Sequence, residues 1–475
     1  MRLEPLGLER VAQSLRRAGH EVQLLDLQVV RKGSYLRTLR DWRPEAVGVS
    51  LNYLGNVPEV VDLTKDTKRC LPASFVFVGG HTASFIPHEL LRDSEGAIDC
   101  VVRGEGEVTA ARLLQEVPGG RFDQVPGVVS GRGSGSAPAL LPESDLDVCW
   151  PARDLLGQRR RYFIGVLDPC ASIEFTRGCP YHCSFCSAWT FYNRTYRKAS
   201  PAAIAEELSR IAEPNVFVVD DVALLDAEHA LAVADEVEKR RIRKRYFMET
   251  RCDTLIRNEE AFARWKKLGL TYLFLGLEAL DEEGLEAFRK NVTLDENLRA
   301  LEIARKLDVV VALNLIVSPQ WDAERFRRIE QWAQRIPEIV HLTVMMPYPG
   351  TETWPAEARH LTTGDYRLFD TQHAVTPTKL PLPRFYEEFT RTQMVIFRKH
   401  LNKANLYGAM KKVLTCLARG QTNFARSTLN FRSLPNPRRR YADHFLKAQY
   451  ALQPPPETPV SGMNPGSGGL YVHTG

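Results

Sequence analysis

Three cysteines lie close together near the middle of the chain, in the segment TRGCPYHCSFC. Cys179, Cys183 and Cys186 follow a CxxxCxxC spacing, which can place three thiolates at three corners of a [4Fe-4S] cluster. The fourth iron would then stay open for a substrate or cofactor, like the open position of a catalytic metal site. A structural zinc knuckle and three incidental cysteines are the alternatives. Zinc ribbons pair two CxxC knuckles, and because the chain has no second knuckle the open iron–sulfur site is favoured.

The cysteine loop directly follows the first strand of a repeated strand–helix pattern. Strand-like segments are predicted at 171–176, 215–221, 245–250, 272–279, 309–317 and 341–349. Six such units in about 180 residues predict an incomplete α/β barrel, since a full eight-unit barrel takes about 250 residues. Active sites of these barrels lie at the carboxyl ends of the strands, where the pattern places Asp220, Asp221, Glu249, Arg251 and Glu278. Each of them also has a plainer interpretation, as a helix cap or a surface ion pair.

The N-terminal part alternates helix-like and strand-like segments, which is typical of a doubly wound parallel sheet. Strands are predicted within 21–27, 46–52, 75–81 and 97–107. Two glycine turns, Gly79-Gly80-His81 and Gly104-Glu105-Gly106, follow strands, and such sheets bind ligands at the carboxyl ends of their strands. From the residues alone, any nucleotide-like ligand would fit these turns. Residues 117–145 are rich in Gly, Pro and Ser and are interpreted as a linker or a loose edge hairpin.

Composition and charge set the broad class of the 475-residue chain. No stretch approaches the roughly 18 apolar residues of a membrane span, and the N-terminus lacks an apolar signal-peptide core. Nine cysteines are an odd number for a disulfide framework, so we expect a cytoplasmic protein with reduced thiols. Residues 384–440 carry thirteen Lys or Arg and two acidic residues, a net charge of +11, which leaves −6 for the rest of the chain. The predicted domains are 1–145, 146–380, a basic helical region at 381–450 and a disordered tail at 451–475.

The cysteine loop and the strand ends resemble those of the radical S-adenosylmethionine (SAM) enzymes. The resemblance covers residues 171 to about 350 and implies a [4Fe-4S] cluster whose open iron chelates the methionine part of SAM. It assigns Phe185 to the adenine, Asp220, Asp221 and Glu249 to the methionine amine and its surroundings, Arg251 to the carboxylate and Glu278 to the ribose. The turn at 347–351 resembles the PxPGT turn of the family. At the fifth strand VSPQWD replaces the usual glycine-containing turn.

The N-terminal domain resembles the cobalamin-binding domains that precede some of these barrels. The resemblance assigns cobalamin to Gly79, Gly80, His81, Gly104 and Glu105. The DxHxxG motif that supplies a cobalt-ligating histidine is absent, so His81 is the only nearby candidate, and a loop histidine is more often a hydrogen-bonding residue than a ligand. A first strand ahead of the N-terminal helix is also missing, which points to a natural start site upstream of residue 1.

Longer strings narrow the resemblance to one group within the family. This group is the hopanoid C-3 methylases. The chain resembles them in the segments RLEPLGLERVA, SLNYLGNVPEVVDL, VGGHTASF, AIDCVVRGEGE, DPCASIEFTRGCP and CSAWTFYNRTYR. The implied reaction methylates the saturated C-3 carbon of hopanoid ring A, using a 5'-deoxyadenosyl radical and methylcobalamin. That carbon cannot be deprotonated by a tuned side chain, which is why radical chemistry is needed. An electron donor such as flavodoxin or ferredoxin is the implied partner.

The basic C-terminal region allows more than one partner. A cationic amphipathic face can rest on anionic headgroups, which would make the protein peripheral on the inner face of the cell membrane. A solvated helical face is the plainer alternative. The thirteen basic residues could also contact the phosphates of an RNA. Because no RNA-binding module or aromatic platform is evident, we expect no nucleic acid partner.

Two other functions remain open from the sequence. The first is a cobalamin-dependent radical SAM methylase or cyclase of a tetrapyrrole, which the cluster and cobalamin loops cannot separate from a hopanoid enzyme. The substrate pocket could separate them, and the aromatic and apolar stripe of the C-terminal helices would line it or form plain core: Phe385, Tyr386, Phe389, Met394 and Phe397. The second is a cobalamin- or redox-sensing regulator that binds nucleic acid and cleaves no SAM.

Overall fold

Two sheets organise the chain in the computed structural model, which describes residues 1–131, 145–148, 150–401, 403–429 and 436–454. The first sheet contains four strands in the order β1-β2-β3-β4. Their bounds are β1 Ala46–Ser50, β2 Phe75–Gly79, β3 Cys100–Val102 and β4 Val128–Ser130. Neighbours among β1, β2 and β3 are parallel, whereas β4 is antiparallel to β3. The segment predicted as a linker or edge hairpin therefore contributes an edge strand, and its residues 132–144 lie outside the described part.

Helices cover the first sheet in the doubly wound manner that the sequence predicts. They are α1 Leu6–Arg17, α2 Lys32–Trp42, α3 Val57–Cys70, α4 Pro87–Asp93 and α5 Gly106–Glu116. The prediction of a strand at 21–27 is wrong, because these residues form no strand. Leu25 instead packs with Leu36 of α2 and with Val47 and Val49 of β1, so its apolar residues serve the core without joining the sheet.

The second sheet contains six strands, all parallel, in the order β12-β11-β10-β9-β8-β5. They are β5 Cys170–Ile173, β8 Asn215–Val218, β9 Arg245–Arg251, β10 Leu270–Glu278, β11 Val310–Val317 and β12 Ile339–Val344. The pair β6 Thr176–Arg177 and β7 Arg197–Lys198 forms a separate antiparallel ribbon beside the cysteine loop. This is the predicted six-unit partial barrel, with every predicted strand in place.

Helices alternate with these strands and carry the largest apolar core. Their bounds are α6 Ala188–Phe191, α7 Pro201–Arg210, α8 Ala227–Lys239, α9 Cys252–Arg257, α10 Glu259–Leu268, α11 Glu282–Ala287, α12 Leu294–Lys306, α13 Ala323–Arg335 and α14 Trp354–Glu357. Side chains that alternate along the strands pack outward against the helices, as Leu273, Leu275 and Leu277 do on β10, each of them fully buried. The opposite face of β10 looks into the barrel and carries Phe274 and Glu278.

The C-terminal region is helical, as predicted. It contains α15 Leu382–Arg398, α16 Lys403–Ala418, α17 Asn423–Leu429 and α18 Pro437–Asp443. Phe385, Tyr386 and Phe389 of α15 are fully buried in the core of the barrel wall, whereas Met394 is half-buried and Phe397 is exposed. The predicted disordered tail falls largely on 455–475, outside the described residues. Among the described residues, no helix has the length and apolar character needed to cross a membrane.

Candidate active site between the two sheets

The cysteine loop is anchored at the carboxyl end of the barrel strands. Gly178 opens it with φ +93°, a left-handed conformation in which a side chain would overlap the Thr195 carbonyl. Ser184 donates its backbone N–H to the Phe288 carbonyl at 3.1 Å. The Trp189 indole N–H donates to the Cys183 carbonyl at 3.0 Å. Backbone contacts on both sides of the central cysteine therefore fix the loop before any ligand binds.

The three thiols differ in exposure and in proton affinity. Cys183 is buried, whereas Cys179 and Cys186 are partly exposed. Burial raises the pKa of Cys179 to about 11 and that of Cys186 to about 12, so both are neutral thiols at pH 7 and would release protons on binding iron. Within the described ranges, no three His, Cys, Asp or Glu side chains converge as a single metal ion requires. The ligands of a zinc knuckle must converge on one ion, whereas a cubane holds each thiolate on a separate iron.

Arg251, at the end of β9, contacts the cysteine loop. Its Nη1–H donates to Cys183 Sγ at 3.4 Å, its Nη2–H to the Lys290 carbonyl at 2.6 Å and its Nε–H to Asp253 Oδ1 at 2.8 Å. The guanidinium also stacks over the Tyr181 ring, 3.7 Å from its centroid. Three of its nitrogens are thus engaged within the protein. Its assignment to the SAM carboxylate stays a prediction, and the structure adds a contact with a candidate cluster ligand.

Three carboxyls lie at the ends of β8 and β9. Asp220 is buried, Glu249 is half-buried and Asp221 is exposed to solvent. Desolvation by the surrounding protein raises the pKa of Asp220 to about 7, of Asp221 to about 6 and of Glu249 to about 7, and for Glu249 the charge of Asp221 adds to the rise. Asp220 accepts from the Phe175 N–H at 2.8 Å and from the Thr176 hydroxyl at 2.6 Å, so it holds the backbone that leads into the cysteine loop. Asp221 and Glu249 repel one another, and the cationic amine and sulfonium of SAM would relieve that repulsion.

Glu278, at the end of β10, has an unusual backbone. Its φ is +68°, a left-handed conformation that costs a non-glycine residue about 1 kcal/mol. Its carboxylate accepts from Lys290 Nζ at 3.2 Å and from Asn314 Nδ2 at 3.0 Å. Strain of this kind is concentrated at functional sites, which agrees with the predicted ribose contact. Lys290 and Asn314 could not be identified from the sequence, since both reach Glu278 from other loops and strands.

Phe185 and the 347–351 turn border the same region. The Phe185 ring packs edge-on against Phe288, with 5.3 Å between centroids. Gly350 has φ +91°, and a side chain there would overlap the Phe85 ring of the N-terminal unit. The Thr190 hydroxyl donates to the Gly350 carbonyl at 2.6 Å. This turn therefore contacts both the helix after the cysteines and the first sheet.

The glycine turn after β2 meets the cysteine loop directly. Gly80 has φ +111°, and a Cβ there would lie 2.7 Å from the Asn52 side chain. The His81 N–H donates to Asn52 Oδ1 at 3.0 Å, and His81 Nε2 lies 2.8 Å from the hydroxyl of Ser187, the residue after the last cysteine. The His81 ring also packs on Phe191, and burial lowers its pKa to about 4, so the ring is neutral. His81 thus acts here as a hydrogen-bonding residue between the two units, and Ser187 is a contact that the sequence did not reveal.

Ion pairs connect the second glycine turn to the barrel. Gly104, with φ +77°, donates its N–H to the Ser84 hydroxyl at 2.9 Å. Glu105 accepts from Arg177 at 2.8 Å and also pairs with Arg197. Arg177 lies 2.9 Å from Glu107 as well, and neighbouring carboxylates hold its pKa well above the ordinary value despite burial. Glu105 therefore joins the two units, and its predicted contact with cobalamin stays a prediction.

These contacts bring together two of the predicted ligand sites. The glycine turns at the carboxyl ends of β2 and β3 face the cysteine loop at the carboxyl ends of the barrel strands. A group bound on the turns would lie against a cluster and a nucleoside bound in the barrel. A Cβ at Gly80 would overlap Leu51 and Asn52 just after β1, so close packing within the first unit requires a glycine at this turn. The arrangement can bring a methyl donor and a radical source to a single substrate atom.

Comparison with known proteins agrees with this arrangement. The B12 binding domain family model matches residues 1–114, and the radical SAM superfamily model matches residues 173–333. The chain is 54% identical over 474 residues to the hopanoid C-3 methylase of Methylococcus capsulatus, covering 100% of this chain and 91% of that relative. It is 26% identical over 356 residues to the anaerobic magnesium-protoporphyrin IX monomethyl ester cyclase of Rubrivivax gelatinosus, covering 71% of this chain and 63% of that relative.

Solved structures show the same fold at low sequence identity. The radical S-adenosylmethionine methyltransferase TsrM from Kitasatospora setae superposes with a TM-score of 0.61 at 18% identity, covering 76% of this chain and 74% of that one. The cobalamin-dependent S-adenosylmethionine radical enzyme OxsB superposes with a TM-score of 0.67 at 16% identity, covering 92% and 72%. The predicted domain boundaries and individual site residues stay predictions. Identity over the whole chain decides the family: the protein belongs to that of the hopanoid C-3 methylase, the cobalamin-dependent radical SAM C-methyltransferases.

Proposed function

We propose that this protein methylates C-3 of ring A of a hopanoid, using SAM, a [4Fe-4S] cluster and methylcobalamin. The observation that carries the proposal is the 54% identity to the Methylococcus capsulatus hopanoid C-3 methylase across the whole chain. Membership of the family also removes the support for a regulator that cleaves no SAM. The substrate identity rests on that relative's name, and the contact between the first glycine turn and the residue after the cysteine loop supports a joint site for the two cofactors.

The residues of the chain would hold the cluster, balance the charge of SAM and exclude water from the site. Cys179, Cys183 and Cys186 would hold the cluster, with an Arg251 N–H donating to Cys183 Sγ and so holding that side chain in position. Asp221 and Glu249 would balance the positive charge of the SAM amine and sulfonium. When bound, the cofactors supply one-electron cleavage of an unactivated C–H bond and a methyl group that can pass to a carbon radical.

The partner and the location follow from this chemistry. The cluster needs electrons one at a time, and a small redox protein such as flavodoxin or ferredoxin can deliver them. A hopanoid is a triterpenoid lipid, so we place the enzyme at the inner face of the cell membrane, in peripheral contact with it.

An anaerobic assay tests the reaction. Cluster-reconstituted protein would be supplied with SAM, methylcobalamin, a reductant and a desmethyl hopanoid, and mass spectrometry would detect 5'-deoxyadenosine and a hopanoid heavier by one methylene. Cys183→Ala should abolish both products. Cys170→Ala, a buried cysteine at the opposite end of the barrel, should leave both within about twofold of wild type. Full methylation by Cys183→Ala would contradict the cluster assignment.

A tetrapyrrole substrate is the second candidate, favoured by the 26% identity to the Rubrivivax gelatinosus cyclase. It would be supported if 5'-deoxyadenosine formed without a methylated hopanoid, and if magnesium-protoporphyrin IX monomethyl ester were consumed under the same conditions. Methylation of the hopanoid alone would exclude it.

A further inference from the structure

Helix α16 lies across the amino end of the barrel, opposite the cofactor loops. On one side, Lys399, just before α16, donates to the carbonyls of Ala333 and Glu338 at 2.8 and 2.6 Å, next to the start of edge strand β12. On the other side, the Asn423 side chain, just after α16, donates to Asp168 Oδ1 at 2.9 Å, ahead of edge strand β5. A 16-residue helix spans about 24 Å, so α16 bridges the two edges of the sheet.

The inner and outer faces of α16 differ sharply. Cys416 is buried on the inner face, where the charges of Asp168 and Arg245 act on its thiol. Both of these residues lie at the amino end of the barrel. Met410, Leu414 and Leu417 lie within about 60° of arc on another face. Their exposed fractions are 57%, 63% and 44%. Side chains of this size are rarely left exposed as a group by a protein without a partner for them.

The stretch of sequence that contains α16 carries a single sign of charge. Residues 389–442 contain twelve Lys or Arg and no acidic residue. Lys411, beside Met410, is exposed to solvent, as is Arg419 one turn beyond Cys416. An apolar strip bordered by cations is the pattern of a helix that lies in the plane of a membrane interface, with its apolar residues among the acyl chains.

We propose that the outer face of α16, formed by Met410, Leu414 and Leu417 with Lys411 beside it, docks on an anionic lipid bilayer. Charge complementarity selects this occupant: cations meet anionic headgroups while the apolar strip enters the acyl boundary. A nucleic acid would use the cations but leave the strip in water. The proposal rests on the proposed function only in expecting a lipid substrate, and docking is measurable without catalysis.

Co-sedimentation of the full chain with lipid vesicles tests the docking face. We expect binding to phosphatidylglycerol-containing vesicles and at least about tenfold weaker binding to pure phosphatidylcholine vesicles, with a loss at high salt. The double variant Met410→Asp/Leu414→Asp should weaken binding by about tenfold or more. Lys411→Glu should weaken it by about tenfold at low salt.

Leu298→Asp is the matched control, since Leu298 is a 38% exposed leucine on α12 of the barrel wall, and it should bind like wild type. Circular dichroism and thermal unfolding would show that all variants are folded. Wild-type protein that stays in the supernatant with anionic vesicles would overturn the proposal, as would a double variant that sediments normally. Two further results would also overturn it: a labelled RNA bound through Lys411 but not Leu414, or a dimer, seen by light scattering, that the double variant loses.

Discussion

Arg251 shows how one side chain can serve a cofactor site through its neighbours. Its guanidinium donates to a candidate cluster ligand, to a backbone carbonyl and to a carboxylate while stacking on Tyr181. Lysine has no planar fork and cannot make these contacts together. We expect Arg251→Lys to lower the free energy of unfolding by about 2 kcal/mol. Iron content per chain after anaerobic reconstitution, with urea unfolding alongside, would measure the effect, and we expect at least half of the iron to be lost.

Arg257→Lys is the matched control for this prediction. Arg257 also contacts Tyr181 and Asp253, but its side chain is 55% exposed and does not touch a cysteine. Exposed pairs contribute at most about 1 kcal/mol, so iron content should stay unchanged. Equal iron loss in both variants would show that the contact with Cys183 is not what matters.

The desolvated carboxyls make stability depend on pH in a defined direction. The pKa of Glu249 is raised from 4.5 to about 7, so the folded chain binds a proton that the unfolded chain has lost between these values. Stability therefore falls as pH rises through this window, by about 3 kcal/mol for this group. We expect Glu249→Gln to gain about that much relative to wild type between pH 4.5 and 8 in cluster-free protein, measured by urea unfolding at several pH values.

Comparison with an exposed residue isolates this contribution. Glu283→Gln changes an exposed carboxyl on α11, and its difference from wild type should not vary with pH. A Glu249→Gln difference that is equally flat would mean that the carboxyl is solvated in the folded protein.

Individual residues of the site could be predicted only where a local sequence pattern indicated them. The cysteines and the strand-end residues Asp220, Glu249 and Glu278 follow from spacing and from the rule that parallel strands present their carboxyl ends together. Lys290 and Ser187 lie in loops without any periodic signal. Their partners, Glu278 and His81, are 12 and 106 residues away, and only the folded chain brings each pair together.

The turn at 347–351 is the clearest case of an element whose shape is fixed by packing. Gly350 combines a positive φ with a position directly against the Phe85 ring. We expect Gly350→Ala to lower the free energy of unfolding by about 3 kcal/mol, from backbone strain and overpacking together. Gly120→Ala separates the two causes, because Gly120 has φ +68° with no atom near a Cβ, and it should cost about 1 kcal/mol. Equal costs in thermal unfolding would show that Phe85 moves aside freely.

At the level of elements, the sequence predicted the barrel better than the first sheet. The six barrel strands are long apolar runs buried on their helix-facing side and separated by amphipathic helices, so their periodicity is unambiguous. The segment at 21–27 has the same apolar composition. Composition predicts burial there, but strand formation also needs a neighbour with free hydrogen-bonding groups, and Val22, Leu24 and Leu25 pack into three separate apolar clusters instead.

At the scale of the molecule, a buried ion cluster joins the two units. Arg177, only 6% exposed, lies between Glu105 and Glu107 of the first unit and Glu174 of the barrel. Removing one partner leaves buried carboxylates poorly compensated. We expect Arg177→Met to lower the free energy of unfolding by about 3 kcal/mol and to split calorimetric unfolding into two transitions.

The matched control is an ion pair within one unit. Lys239→Met breaks the pair with Glu236 on the same helix, and because the Lys239 side chain is 76% exposed it should leave the free energy of unfolding and the shape of the transition nearly unchanged. A single, undisplaced transition for Arg177→Met would indicate that apolar contacts alone hold the two units together.

The position of α16 has a consequence for how reactants reach the site. With α16 on a bilayer, the cofactor loops would point away from the lipid, separated from it by the length of the strands, about 25 Å for eight residues. SAM and a redox protein would then arrive from water at one mouth of the barrel. Because α16 lies across the amino end of the barrel, a lipid substrate would have to leave the bilayer and cover that distance to reach the cofactor loops. The bilayer would then serve to hold the enzyme near its substrate, and the reaction itself would take place away from the membrane surface.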